Sequence, residues 1–335
     1  MQDALPPPAV EAQAAHPITI TGFGLGNARA IDLRRTPFSP ADRSIDGEAA
    51  LILEARRGAA VVRVRATTND LESRNARLRL TEASVGGRPG DGWSFRIGKA
   101  QLSWDTGLTF QPVGFFQREL DFTDLGDFDG RGEGLPLVAV TYGTGAVTAT
   151  IVASDRLDGE TGSERRPQRQ VVGRIVYDAD GFSTSLILRQ PSMGGFGVGG
   201  TATATLTDSI TGYGSFYTSR GVLRGVAGGS ILAPWNGALS VEYAHDGARG
   251  ARGNWNRDNQ LYAQATVDFG RLTMAAGARV DMDDGGVEGV LSAIYRVAGS
   301  SELRLAVVTS DGPEQSERGS APFRSLVSLT FRRAF

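Results

Sequence analysis

The chain has 335 residues, 40% hydrophobic and 21% charged, with a formal net charge of -2; that is enough for one large domain or two ordinary ones, and the near-neutral balance excludes a nucleic-acid binder, which needs a dominant basic block. It has no Cys, which removes disulfide frameworks, thiol catalysis and Cys-based zinc sites, and its two His, His16 and His245, exclude a multi-His metal centre. No apolar run reaches the roughly 18–20 residues of a transmembrane helix, yet strictly alternating strands also average to a hydropathy near zero when one face meets lipid.

Residues 1–16 open with Pro6, Pro7 and Pro8 and have no periodic apolar face. They read as a flexible Pro/Ala-rich tail. The tail lacks a charged n-region and an apolar h-region, so a mature, processed chain is expected.

From residue 17 to 335 the pattern is that of one domain, period-2 almost throughout. Val62 and Val64 alternate with Arg63 and Arg65; Ala76, Leu78 and Leu80 with Arg77, Arg79 and Thr81; Phe95 and Ile97 flank Arg96. Further on, Leu261 to Phe269, Leu272 to Val280, Leu291 to Val297 and Leu303 to Val307 alternate in the same way. No helical period of useful length interrupts them. The connections alternate short and long: Arg56–Gly58, Arg88–Asp91, Gly143–Gly145, Asp178–Gly181, Ala233–Gly237, Gly270-Arg271 and Gly299-Ser300 are short. Segments 34–48, 69–74, 104–134, 155–167, 191–196, 248–257 and 311–321 are longer, with tight connections near Thr218–Gly221 and Asp283–Gly286 on the same side. This is the order of an all-β, antiparallel, up-and-down transmembrane barrel of about 18 strands, or 16 if the Gly-rich 197–230 divides into one hairpin fewer. The sheet must close because backbone polar groups in lipid have no water to pair with.

Two charged sets stand out. Arg63, Arg65, Arg77, Arg79 and Arg96 share the polar parity of three successive strands and would stack on one lumen wall, where like charges need compensation. Segment 104–134 carries Asp105, Glu119, Asp121, Asp124, Asp127 and Asp129 among five Phe, which is too long and too aromatic for an ordinary loop. Lys99 is the sole lysine among the 35 basic residues, the rest being Arg.

The stretch Arg96–Phe116 resembles a motif of outer-membrane channels in the porin and alginate-export-like group. There a Gly-Arg/Lys-Gln strand leads to Trp-Gly-x-Gly, then to a Pro and an aromatic pair at the base of an in-folded loop. Lys99, Trp104, Gly107, Pro112 and Phe116 match; Ala100 and Asp105 stand where Gln and Gly are usual. The last strand, with Phe323, Val327, Leu329, Phe331 and Phe335 on one parity and Arg324, Ser328, Thr330, Arg332 and Ala334 on the other, resembles the closing strand of bacterial outer-membrane barrels. Arg333 departs from that pattern. The resemblance implies that Phe331 and Phe335 form the signal read by the barrel-assembly machinery. It also implies an acidic loop folded into the barrel opposite a basic wall; the alternative is an external flap, with the arginines paired locally.

The expected function is therefore passive passage of small polar, anionic solutes across a bacterial outer membrane, with the short turns and both termini periplasmic. Membrane lipids and the assembly machinery are the expected partners, a homo-oligomer is compatible, and no cofactor or metal is implied. A scaffold barrel that plugs its own lumen in an envelope assembly is the alternative, with the Pro-rich tail as its handle. An outer-membrane hydrolase is disfavoured because His245 falls on the parity opposite to Ser240 and Glu242. Asp281, Asp283 and Asp284 could offer oxygens to Ca²⁺ but read as a solvated acidic turn.

Overall fold

A computed structural model of the chain describes residues 17–33, 43–69, 76–116, 133–157, 167–192, 194–247, 259–313, 316, 318–321 and 323–335. The first five strands are β1 (Thr19–Leu33), β2 (Arg43–Arg57), β3 (Ala60–Asn69), β4 (Ala76–Gly90) and β5 (Trp93–Ala100). Then come β6 (Leu135–Thr144), β7 (Val147–Leu157), β8 (Pro167–Ala179), β9 (Phe182–Pro191), β10 (Gly197–Thr207), β11 (Ile210–Ser219) and β12 (Val222–Ala233). The rest are β13 (Gly237–Asp246), β14 (Asn259–Asp268), β15 (Leu272–Asp281), β16 (Val287–Ala298), β17 (Ser301–Asp311) and β18 (Phe323–Ala334). Each strand pairs antiparallel with the next, and β1 pairs with β18, so the 18-stranded sheet closes on itself. Closure leaves no edge, as a sheet in lipid requires.

The expected connections match this order with one shift: β2 begins at Arg43, inside the segment 34–48 read as a loop. The Gly-rich stretch yields β10, β11 and β12. Its second turn, Arg220-Gly221, has φ of +54° and +77° at successive residues, the left-handed pair that fits the twist of a two-residue hairpin.

The turns that follow the even-numbered strands are all short and lie at one end, here the turn end; the long connections, together with the tight ones at Arg220-Gly221 and 282–286, lie at the other, the loop end. Both ends of the barrel's chain meet at the turn end, where Gly22 N donates to Phe335 O at 3.1 Å and Phe335 N donates to Gly22 O at 2.9 Å. The outer face is apolar: Leu51, Leu53, Val138, Ile151, Leu186, Leu188, Leu305 and Leu329 are all exposed. At the turn end it carries Trp93, Tyr142, Tyr177, Phe182, Trp235, Phe269, Tyr295 and Phe335, all exposed. Trp93 and Tyr142 touch at a centroid distance of 4.8 Å. Amphipathic rings at this height form the aromatic girdle of a membrane interface.

Two bulges change the parity. Opposite Arg63 and Val64 the β4 register skips from Glu82 to Leu80, so Thr81 and Glu82 are both buried and Glu82 faces the lumen beside Arg63. Near the start of β18 the register shifts between Asp32 and Leu33, and Phe323 packs with Leu326 against the inward Tyr262, Val290 and Val308. Phe323 thus leaves the lipid-facing parity on which the alternation placed it.

Candidate functional site

Beyond β5 the chain turns into the barrel. Trp104, Val113, Phe115 and Phe116 are buried against Leu137 and Ala139 of β6, Val152 of β7, Val172 of β8, Ile187 of β9 and Tyr217 of β11. The rings meet edge to face: Trp104 and Phe116 at 4.8 Å and 82°, Phe115 and Tyr217 at 5.0 Å and 72°. Further along, Phe110 is buried with Val226 of β12 and Ala244 of β13. Each of the larger aliphatic and Phe side chains among them contributes roughly 1.5–3 kcal/mol by leaving water. The segment 101–116 therefore follows the inner wall from β5 to β13.

Two carboxylates fix its path. Asp105 accepts hydrogen bonds from Gly107 N at 3.0 Å, Val113 N at 2.7 Å and Ser215 Oγ of β11 at 2.7 Å. Burial pushes its carboxyl above the usual range, and these donors pull against that. The buried Glu242 of β13 accepts from Leu108 N at 3.0 Å and from Thr109 N and Thr109 Oγ1, each at 3.0 Å. Gly107 is needed between them: a Cβ there would stand 2.0 Å from Phe110 O and 3.0 Å from Glu242 Oε1. On the wall, a Cβ at Gly199 would stand 2.9 Å from Val113 Cγ1 and 2.6 Å from Phe216 O, so part of the glycine in β10 makes room for the segment.

The segment meets wall arginines with its rings. Arg174 lies 5.5 Å from the Trp104 ring, Arg189 4.7 Å from Phe115 and Arg224 4.9 Å from Phe110. Arg224 also pairs with Asp246 at 2.8 Å, and Arg189 Nε donates to Gln170 Oε1 at 2.6 Å. An aromatic face steers a guanidinium without cancelling its charge.

The expected basic wall divides in two. Arg63 pairs with Glu54, through Nε at 2.7 Å, and reaches Glu82 at 3.9 Å. Arg65 pairs with Glu48 at 2.8 Å, and Glu48 also takes Arg29 at 2.9 Å. Arg56 binds Glu54 as well. These carboxylates come from β2 and β4. Arg77 and Arg79 are exposed near the loop end, and Arg96 is half-buried on the inner face of β5, between Gly86 and Ala139. Among the described residues no carboxylate pairs with Arg77, Arg79 or Arg96. Of the expected acidic set, Asp105 is spent on fixing the segment, while Glu119, Asp121, Asp124, Asp127 and Asp129 lie outside the described residues. Phe331 and Phe335 are exposed on the outer face.

The alternation missed the apolar inner patch and the carboxylates Glu48, Glu54, Glu82 and Glu242. A signal for the patch was present: Leu137-Val-Ala-Val140, Val171-Val172 and Leu186-Ile-Leu188 are apolar on both parities, which a strand facing water inside would not be.

His245 lies on the outer parity, 3.1 Å from Asn259 Oδ1, while Ser240 and Glu242 face inward. Asp283 accepts from Asn259 N, Asp281 from Asp283 N, and Asp284 from Gly286 N. Among the described residues no group of three or more His, Asp and Glu is placed to hold a metal ion.

No family model matches the sequence. No curated protein matches it either. The fold does match solved structures. An engineered triple mutant of the Rhodopseudomonas blastica porin aligns over 95% of this chain and 100% of its own at 13% identity, with a TM-score of 0.53. Pseudomonas aeruginosa OccD3 (OpdP) aligns over 95% and 91% at 12% identity, with a TM-score of 0.58. Escherichia coli Wzi, an outer-membrane protein involved in group 1 capsule assembly and a carbohydrate-binding β-barrel, aligns over 93% and 84% at 10% identity, with a TM-score of 0.63. At these identities the likeness is one of architecture. The fold is that of the bacterial outer-membrane, porin-like β-barrels, whose apolar exterior contacts lipid.

Proposed function

We propose that this barrel is an outer-membrane channel for passive passage of small polar solutes, with a preference for anions. Segment 101–116 narrows the bore from the β6–β13 side. The observation that carries the reading is the state of the lumen arginines: Arg77, Arg79 and Arg96 have no carboxylate among the described residues, and Arg174 is steered by the Trp104 ring. Their permanent charge then acts on a passing solute. The loop end is external and the turn end, with both termini, periplasmic, in keeping with short turns on one side. No reaction is assigned, since His245 and the inward Ser240 lie on opposite faces of β13.

A scaffold barrel in an envelope assembly is the second reading, favoured by the side chains that fill the sector from β6 to β13. Conductance in a planar bilayer under a salt gradient separates the two. Stable ohmic steps with anion preference support the channel; silence from correctly folded protein overturns it in favour of the scaffold.

A further inference from the structure

Five inward side chains stand in one register row across β13–β17. Glu242 is opposite Tyr262, Tyr262 opposite Arg279, Arg279 opposite Glu288 and Glu288 opposite Ser310. All but Arg279 are buried, and Arg279 is half-buried. At its β13 end the row holds the in-folded segment, through the bonds that Glu242 accepts from Leu108 and Thr109. At its far end it holds the connection between β17 and β18. Glu288 accepts from Arg279 at 2.5 Å and pairs with Arg318 at 3.0 Å, while Ser310 Oγ donates to Arg318 O at 3.0 Å.

That connection is closely packed. A Cβ at Gly286, in the connection between β15 and β16, would stand 3.0 Å from both Cβ and Cγ of Arg318. Next to Arg318 the chain turns tightly: Ser320 N donates to Ser316 O and Gly319 N to Ser316 Oγ, each at 2.8 Å. Phe323 and Leu326 then pack with Val290 and Val308 against Tyr262, the ring opposite Glu242. So the chain that Arg318 anchors also covers the neighbour of the carboxylate that holds segment 101–116. A carboxylate in a dry site keeps its donors, whereas one reached by water exchanges them for water at little cost. Glu242 has no exposed surface. Lifting the connection would strip Phe323 and Leu326 from Tyr262 and open the row to water from β17 towards β13.

We propose that Arg318 is a positioning residue for segment 101–116. By fixing the β17–β18 connection on Glu288 it keeps Phe323 and Leu326 on Tyr262, and so keeps the hold of Glu242 on Leu108 and Thr109 dry. The two in-folded stretches, some 210 residues apart in sequence, then dock as one unit. This coupling is independent of whether the bore conducts.

The test uses the folded barrel in detergent micelles, with hydrogen exchange read by mass spectrometry on peptides covering 106–111 and 318–321. Arg318→Gln should accelerate exchange in both, by about fivefold in 106–111, the low end of coupling between separate sites. Arg318→Lys keeps a cation for Glu288 and should restore most of the protection. Gly286→Leu, which pushes on Arg318 from the neighbouring connection, should act like Arg318→Gln. Arg296→Gln removes a contact to Gly270 O at the turn end of the strand that carries Glu288, and should leave 106–111 unchanged. When Glu242→Gln is already present, Arg318→Gln should add little in 106–111, because the hold it supports is already weakened. Heat-dependent gel migration checks that each variant is a closed barrel. Unchanged exchange of 106–111 in both Arg318→Gln and Gly286→Leu would overturn the proposal. So would an equal acceleration in Arg296→Gln, or an undiminished effect of Arg318→Gln on top of Glu242→Gln.

Discussion

Glu242 and Thr109 lie 133 residues apart in sequence, yet the carboxylate of one accepts both the backbone N–H and the hydroxyl of the other at 3.0 Å. With the Leu108 N–H on the same carboxylate, this contact ties the in-folded segment to β13. Glu242→Gln replaces one acceptor oxygen by an amide that points donors at donors. The loss should be about 1.5–3 kcal/mol of docking free energy. Hydrogen exchange of the 106–111 amides should accelerate, and single-channel current should become larger and noisier. Unchanged exchange would show that the apolar anchors alone hold the segment.

Gly107→Ala tests the same region through sterics. The new Cβ would lie 2.0 Å from Phe110 O, so the turn must open and carry Leu108 away from Glu242. The expected result is a barrel that still folds, judged by gel migration, with increased proteolysis within 101–116. Full protection in this variant would mean that the backbone accommodates the methyl by a local shift.

Trp104→Ala removes a ring packed on Phe116 and beneath Arg174. Truncations of this kind cost roughly 3–5 kcal/mol when the site does not collapse. Thermal unfolding should shift down, and conductance should rise as the narrow sector widens. A variant with native stability would place Trp104 outside the packing that holds the segment.

The two halves of the arginine wall should behave differently. Arg77→Gln, Arg79→Gln and Arg96→Gln together should lower anion preference, read as a reversal potential moving towards zero under a KCl gradient. Arg63→Gln should change selectivity little and stability more, because it leaves Glu54 without one of its two arginines. Equal selectivity changes in both variants would reject the division.

Much of the architecture was legible in the chain because a closed barrel in lipid obeys a strict rule. Every strand must alternate and every backbone group must pair with a neighbour. Leu303, Leu305 and Val307 against Glu302 and Arg304, or Gly299-Ser300 between two such runs, already imply strands and their turns. Periodicity therefore determined the strand order, the two ends and the outward placement of Leu329 and Phe331.

The tertiary structure decided what faces what inside. Strand parity says that a residue points inward and nothing about what it meets there. The bulge at Thr81 turned Glu82 towards Arg63, and the shift near Leu33 brought Phe323 into the lumen. The register set Glu54 opposite Arg63, and the side chains of Glu48 and Arg65 met across the same pair of strands, where a distant acidic loop was expected to balance the arginines. The in-folded segment then settled by burying Phe115 and Phe116 against an apolar wall. Such contacts join residues far apart in the chain, and their energy depends on distances set only when the sheet has closed.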